Sequence, residues 1–320
     1  MKKLTILIGV FIIFFSPFLG DTSINYKDIF DSTTTTYTIF WDLRVPRIVL
    51  AFFVGSILSL SGLIFQTIFK NALITPYTLG IASGTTLFTA ISIVFFPTIM
   101  LAISGVVGSL FTIMVLYLIS QKINKSSIIV STNSILLIGI ALSFFYSSGL
   151  MLLFFMSNLQ ENYSIVRFTL GSLDIVGFNS ALIVCPIAVI LLSTVLFYKE
   201  KIKLLLTSND TAFLKGLNVN RLNLILLIII SLAVGVSISF VGPIGFVGLV
   251  IPHIIKIIYK QSAHKLILPV FFYGGLFLVI ADFISRNANT ASSLPIGVVT
   301  SFIGAPFFVY LLIRRSSKGK

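Results

Sequence analysis

The chain has 320 residues, of which 57% are hydrophobic and only 10% are charged, and its mean hydropathy is +1.10. Soluble domains carry about 25% charged residues, so this composition excludes an ordinary soluble domain and indicates a protein embedded in a lipid bilayer. The net charge of +13 does not indicate a nucleic-acid partner, because the basic residues stand in small groups between apolar runs.

The apolar runs predict an all-α integral membrane protein with about ten transmembrane helices in a single domain, residues 1–320. A helix needs about 20 apolar residues to cross the hydrocarbon, because each residue adds about 1.5 Å. The predicted spans are 4–20, 47–69, 79–97, 100–119, 128–156, 180–198, 222–241, 246–259, 266–284 and 297–313. The first could be a signal peptide, but it lacks a small-x-small cleavage site before Asp21, so we expect a retained helix.

The second span opens with the segment Arg44-Val45-Pro46-Arg47. Pro46 suits the first helical position, where its missing N–H would have no partner anyway. Arg47 would then stand at the positive end of the helix dipole, which is unfavourable for a cation. These arginines either extend to lipid headgroups or form, with Arg286 after the ninth span, a docking patch for acidic side chains of an external protein.

Glycine and proline interrupt the apolar runs at several places. Small residues let membrane helices pack closely, and a broken backbone at membrane depth is tolerated against protein or a water-filled cavity. A break at Gly242-Pro243 would make the seventh and eighth spans a tight hairpin that lines a pathway. The candidates for helix packing or pathway lining are Gly55, Gly62, Gly80, Gly84, Gly242, Pro243, Gly245 and Gly248.

A faint internal repeat accompanies these glycines. Val54-Gly55, Ser59 and Gly62 of the second span recur 180 residues later as Val234-Gly235, Ser239 and Gly242 in and after the seventh. The repeat is either a chance match in glycine-rich sequence or a sign of two similar halves, as in many transporters.

Two connections are long enough to hold structure of their own. Residues 157–179 suit a short helix that lies on the membrane surface or dips into it. Residues 199–221 contain a helix-start signal at Ser208-Asn209-Asp210 and a helix stop at Gly216, which predicts a short helix parallel to the membrane. Its apolar face would carry Ala212, Phe213 and Leu217.

The distribution of charge predicts the orientation in the membrane. Ten spans place both termini on one side, and 17 of the 22 lysines and arginines fall on that side. The positive-inside rule then places both termini in the cytoplasm.

The chain carries no signature of an energy source of its own. Asp282, His253 and Lys256 lie near span ends, so no buried proton relay is visible. The motifs GxxxxGK[ST], HExxH and GxSxG are absent. The single cysteine, Cys185, is expected to pack as a small apolar residue, and the two histidines to be structural. We therefore assign no catalytic residue, metal ligand or bound cofactor, and expect the driving energy to come from a partner.

From about residue 41 to 314 the chain resembles the FecCD-type permeases of bacterial ABC importers for iron-siderophores, haem and vitamin B12. The likeness rests on ordered, correctly spaced motifs. They are RVPRIVLAFFVGSILSLSGLIFQTIFKN (44–71), YTLGIASG (77–84), FTLGSLDIVGF (168–178), FLKGLNVNR (213–221), GPIGFVGLVIPHIIK (242–256), ADFISR (281–286) and LPIGVVTSFIGAPFFVYLL (294–312).

The resemblance implies the type II ABC importer fold of the vitamin B12 permease, with ten helices per subunit. It also implies a homodimer or paired permease with the pathway along the subunit interface, two cytosolic subunits that hydrolyse ATP, and an external substrate-binding protein. The binding protein would dock on Arg44, Arg47 and Arg286. The segment that couples to the ATPase would contain Ala212, Leu214, Lys215, Gly216, Leu217 and Val219.

The expected function is therefore that of a permease subunit, which is not itself an enzyme, in a binding-protein-dependent ABC importer. Ferric siderophores are the commonest cargo of the family, and cobalamin and haem are the alternatives. A self-contained secondary transporter or channel is the alternative from another class, and it would work without an ATPase.

Overall fold

The computed structural model describes residues 2–19, 28–96, 101–123, 132–207, 212, 214–288 and 293–317. Twelve α-helices of seven residues or more form within this part of the chain, besides the short helix Thr35–Tyr37. They are α1 (Lys2–Phe15), α2 (Val45–Ile68), α3 (Ile81–Phe95), α4 (Leu101–Ile123), α5 (Thr132–Met156), α6 (Leu159–Leu170), α7 (Asn179–Phe197), α8 (Lys199–Leu205), α9 (Val219–Val241), α10 (Val247–Tyr259), α11 (Ile267–Asn287) and α12 (Ile296–Ser317).

Ten of the described helices are apolar, and they coincide with the ten predicted spans. Six are long and apolar enough to cross a membrane: α2 with the helical segment before it, α4, α5, α7, α9 and α11. The other four, α1, α3, α10 and α12, are shorter apolar helices. This agreement confirms the predicted all-helical membrane architecture. The predicted start of the fifth span, residues 128–131, lies outside the described residues.

Ten crossings place successive connections on alternate faces of the membrane. We use "termini face" for the face that carries the connections 69–80, 198–218 and 260–266. We use "opposite face" for the face that carries residues 28–44, 157–178 and 288–295.

Helix α2 is the centre of the fold. Every residue from Val54 to Ile68 is buried, and the helix contacts α7, α9, α10 and α11. This buried part carries small and polar residues, such as Ser59, Gly62 and Gln66, which favour contact with protein over contact with lipid and so explain the central position.

Small residues set the closest helix contacts, and the same contact occurs twice. Gly55 and Ser59 of α2 pack against Gly274 of α11, where any side chain at Gly274 would overlap the Ser59 side chain. Gly235 and Ser239 of α9 pack in the same way against Gly105 of α4. The Gly55 and Ser59 part of the sequence repeat therefore corresponds to a repeated packing arrangement, whereas Gly62 packs against α10 and its counterpart Gly242 forms a turn.

The entry into α2 differs from the prediction. Residues Thr38–Arg44 form a π-helical segment that runs directly into α2, and the Val45 N–H bonds to the Phe40 carbonyl. Pro46 does stand in the first α-helical turn, as predicted. However, Arg47 lies inside a continuous helix of 34 residues rather than at a free helix start, so the predicted dipole penalty does not apply.

The predicted short helix on the opposite face is α6. Asn158 and Glu161 form a capping box at its start, and its end at Gly171 has a φ of +77°. The chain then folds back over the bundle, where the Ser172 N–H bonds to the Val241 carbonyl and the Gly177 N–H to the Asp42 carbonyl. This segment places Asp174 above α2 and α11.

Candidate functional site

Two adjoining cavities lie beside the hairpin between α9 and α10. Helix α9 ends at Val241, Gly242 has a φ of +74°, and α10 begins at Val247, so the predicted break at Gly242-Pro243 is confirmed. The larger cavity has a volume of about 740 Å³ and the smaller about 360 Å³.

The two cavities follow each other across the membrane. The larger lies towards the opposite face, between the end of α6, the hairpin and α12; its lining includes Thr169, Leu170, Pro243, Gly297, Ser301 and Phe302. The smaller lies towards the termini face; its lining includes Leu58, Leu73, Thr75, Gly248, Leu249 and Phe308. Three residues line both cavities and so form the wall between them: Tyr77, Gly245 and Phe246.

Most of the glycines predicted for packing or pathway lie in helix contacts. A Cβ at Gly62 would overlap the Gly248 carbonyl, and one at Gly84 would overlap the Thr112 hydroxyl. Gly55 lies against α11, as described above. Gly80 has a φ of +76° at the start of α3, where only glycine adopts the backbone without strain.

Pro243 and Gly245 instead line the cavities, and Gly248 both lines the smaller cavity and packs against α2. Space is open around Gly245, because the nearest atom to an added Cβ would be the Ser301 Oγ at 3.8 Å. Gly242 allows the turn itself, because its φ is positive and a Cβ at this position would overlap the Phe168 carbonyl.

A cluster of charged side chains ties the opposite face together. Both oxygens of Asp282 on α11 are used: Oδ1 accepts from the Arg47 Nε at 2.7 Å, and Oδ2 lies 3.0 Å from the Arg286 Nε. Arg47 also pairs with Asp174, which accepts hydrogen bonds from the Ser293 hydroxyl. The cluster thus joins α2, α11, the segment after α6 and the segment before α12.

Arg44 does not form part of an exposed patch. Its side chain is only 7% exposed, and its Nη1 donates to the Pro17 carbonyl at 3.1 Å. The short 3₁₀ segment Ser16–Phe18 covers it, with the Phe18 ring 5.1 Å from the Phe40 ring. Of the three arginines predicted for docking, Arg47 and Arg286 are also nearly buried and are paired with carboxylates within the chain. Their docking role stays a prediction.

The charged surroundings of Asp174 change its titration. Burial alone would raise the pKa of this carboxyl. The nearby Arg47 guanidinium and the hydrogen bonds from Ser293 and Ser172 outweigh burial and hold the pKa below its ordinary value. The Asp174 carboxyl is therefore ionised over the physiological pH range, and as an anion it attracts the Arg47 guanidinium.

The predicted coupling segment lies on the termini face. Gly216 has a φ of +77° and the Leu217 N–H bonds to the Ala212 carbonyl, which is the helix-ending bond of a Schellman motif. The predicted helix stop at Gly216 is confirmed, and Ala212 and Leu217 are buried as predicted. Leu214 is 84% exposed and Lys215 is also exposed. Val219 begins α9 behind the Asn218 cap. The predicted helix start 208–210 and Phe213 lie outside the described residues.

Sequence reasoning missed several residues of this site. Asp174 and Asp282 were not recognised as partners of the arginines, although Asp282 stands four residues before Arg286 on one helix. Tyr77 and Phe246 were not recognised as cavity residues, because no local pattern shows which aromatic residues line a cavity. Within the described ranges, no three histidine, cysteine, aspartate or glutamate side chains could hold a metal ion together.

Comparison with known proteins agrees with this architecture. A sequence model of the FecCD transport family matches residues 6–314. The chain belongs to the FecCD transport family. This FecCD protein is 32% identical over 301 residues to the "Probable iron chelatin transport system permease protein" of Helicobacter pylori, covering 92% of this chain and 89% of the relative. It is 31% identical over 284 residues to the cobalamin import system permease protein of Halobacterium salinarum, covering 88% and 75%.

A solved structure confirms the fold of this FecCD protein. It is described as an inward-facing conformation of a metal-chelate type ABC transporter, and the TM-score is 0.85 at 24% identity. The match covers 98% of this chain and 100% of that chain, so the predicted type II importer architecture holds over its length.

Proposed function

We propose that this FecCD protein is the permease subunit of a binding-protein-dependent ABC importer and that its cargo is a ferric siderophore. The observation that carries the proposal is the cavity of about 740 Å³ beside the α9–α10 hairpin, in a chain of this family. That volume falls within the range of small-molecule sites, roughly 300–1,000 Å³. Its small and apolar lining residues, such as Pro243, Gly245 and Ala305, suit passage of a bulky chelate without tight binding.

Cobalamin and haem are the alternative cargoes. The named relatives include permeases for an iron chelatin and for cobalamin, which supports both chemical classes of cargo. We infer that selectivity lies mainly in the binding protein, because few polar groups line the cavity of this chain.

The proposed location is a bacterial inner membrane with both termini in the cytoplasm. The excess of lysine and arginine at the termini face supports this orientation. On this proposal the opposite face is external and carries the larger cavity, and the smaller cavity lies nearer the cytosol.

A second permease copy is the proposed partner within the membrane, as a homodimer or a paired permease. Helix α12 lines the larger cavity and presents exposed apolar side chains, such as Phe302 at 82% exposure. A second copy packed along α12 would close this cavity into a pathway.

Two cytosolic ATPase subunits are the proposed source of energy, since ATP would be hydrolysed outside this chain. The exposed Leu214 beside Gly216 suits insertion into a groove of such a partner. In the assembled complex, Leu214→Asp should abolish cargo-stimulated ATP hydrolysis. The matched control is Leu206→Asp, at another exposed leucine of the same face. Equal effects of both variants would argue against coupling through Leu214.

An external binding protein is the third proposed partner, and Arg44, Arg47 and Arg286 are its proposed docking residues. Arg47 and Arg286 are already paired with Asp174 and Asp282, so docking would exchange internal carboxylates for those of the binding protein. The more exposed Arg167 provides a control for general charge effects. Arg286→Glu should weaken docking in a pull-down assay by at least tenfold more than Arg167→Glu.

Reconstitution decides between an importer and a self-contained carrier. Vesicles that contain the permease, the ATPase and the binding protein should accumulate ferric siderophore only with ATP. Accumulation by the permease alone, without nucleotide or partners, would establish the secondary transporter or channel and refute the importer.

A further inference from the structure

One of the three residues in the wall between the two cavities carries an aromatic side chain on an unusual backbone. Phe246 lines both cavities, and its φ of +66° makes it one of the few described non-glycine residues in the left-handed region. Such a conformation is strained for a bulky side chain and persists where the surrounding structure enforces it. It is therefore a candidate for a functional position.

The start of α10 holds this backbone in place. The Phe246 carbonyl accepts the first N–H groups of α10, from Leu249 at 3.0 Å and Val250 at 2.8 Å. Two residues after Phe246, Gly248 packs on the α2 backbone, and its carbonyl accepts a hydrogen bond from the Gln66 side chain at 3.2 Å. The base of Phe246 is thus fixed to the central helix of the fold.

The side chain of Phe246 lies against α12. A Cβ added to Gly304 would overlap the Phe246 Cβ and ring, so the ring uses the space that this glycine leaves free. On the remaining side is Tyr77, in a turn held by mutual hydrogen bonds between Thr75 and Thr78. A fixed turn and a fixed backbone leave α12 as the element whose movement would change the opening.

We propose that Phe246 is the barrier residue of the pathway, and that displacement of α12 at Gly304 opens the passage between the two cavities. This inference rests on the proposed function only for its direction, from the external cavity to the cytosolic one. The juxtaposition of Phe246, Tyr77 and Gly304 carries the barrier itself.

Cysteine labelling tests the barrier in the complete complex without nucleotide. The single native cysteine is removed by Cys185→Ser, and reporters are placed by Ser301→Cys in the larger cavity and Leu249→Cys in the smaller. A membrane-impermeant methanethiosulfonate reagent is added to the outside of right-side-out membrane vesicles that contain the complex and no nucleotide. We expect the Ser301 reporter to react at least tenfold faster than the Leu249 reporter.

Removal of the ring should connect the cavities. Phe246→Gly suits the positive φ and should raise the labelling rate of the Leu249 reporter at least tenfold, whereas Phe246→Tyr should keep it low. Phe197→Ala, which removes an exposed ring of α7 that lines neither of the two cavities, is the matched control and should change neither rate. A slow Leu249 reporter in Phe246→Gly, or equal rates of both reporters before any ring is removed, would overturn the barrier.

The outcome is separable from the proposed function. ATP-driven uptake by the unaltered complex tests the importer, and the labelling rates test the wall between the cavities. Suppose that Phe246→Gly raises the labelling rate of the Leu249 reporter while the unaltered complex accumulates no cargo with ATP. That result would support the barrier role of Phe246 and refute the importer function.

Discussion

Replacing Asp282 by asparagine tests how strongly the charged cluster holds the opposite face. Asp282 is 1% exposed and its carboxylate faces two nearly buried guanidinium groups, of Arg47 at 2.7 Å and Arg286 at 3.0 Å. Removing one member of a buried ion pair costs about 3–5 kcal/mol, because the other charge stays buried without compensation. Since Arg47 keeps Asp174, we expect the lower figure, about 3 kcal/mol, which is more than a hundredfold in the unfolding equilibrium.

The assay is unfolding of the purified protein in mixed micelles by increasing sodium dodecyl sulfate. Fluorescence of the single tryptophan, Trp41, reports on the π-helical segment Thr38–Arg44, which contains it and leads into α2. Arg167→Gln is the control, because its side chain is 57% exposed and lies 3.5 Å from Asp174, so its loss should cost about 1 kcal/mol or less. Adding Arg286→Gln to Asp282→Asn should restore part of the stability. Equal losses in Asp282→Asn and Arg167→Gln would refute the reasoning.

Three further predictions concern packing and pH. Gly62→Ala should lower the free energy of unfolding by about 1–3 kcal/mol, because the new methyl group overlaps the Gly248 backbone. Gly245→Ala should be neutral, because the space around Gly245 is open. Similar stabilities of the two variants in the same micelle assay would count against this packing account. The lowered pKa of Asp174 stabilises the fold above its ordinary pKa of about 3.9, and this contribution is lost as the pH falls through the folded pKa. Asp174→Asn should therefore lose the acid sensitivity that sets in below about pH 4, as the pH falls towards the lowered folded pKa, and an unchanged pH profile would contradict the assignment. Burial, and then the nearby Lys203, lower the pKa of His264 on the termini face. The contribution of His264 to the free energy of unfolding is therefore fully present above about pH 6.5 and is lost as the pH falls through the folded pKa. His264→Gln should flatten this dependence of stability on pH, and a dependence that persists would exclude His264 as its source.

The positions of the membrane helices were predictable because they depend on local composition. Runs of apolar residues identify α2, α4 and α9 without any knowledge of their neighbours. The hairpin at Gly242 and the helix end at Gly216 were predictable for a similar reason, since glycine readily adopts a positive φ. These features follow from a few consecutive residues.

The partners of the arginines could not be predicted in this way. Arg47 meets Asp174 across 127 residues of sequence and Asp282 across 235, and no local pattern contains that distance. The same holds for the burial of Arg44 beneath the segment Ser16–Phe18. Consequently the sequence suggested an exposed basic patch, whereas the fold produces a largely neutralised cluster.

Hydrophobicity alone thus established that this chain is embedded in a bilayer, which segments cross it and which residues interrupt those segments. It could do so because the free energy of transfer from water to lipid is an additive property of short segments. Only the packed bundle decided which charges neutralise each other and that Phe246 stands between two cavities. Those outcomes depend on contacts between helices that are distant in sequence, and close packing fixes such contacts through the shapes of both partners at once.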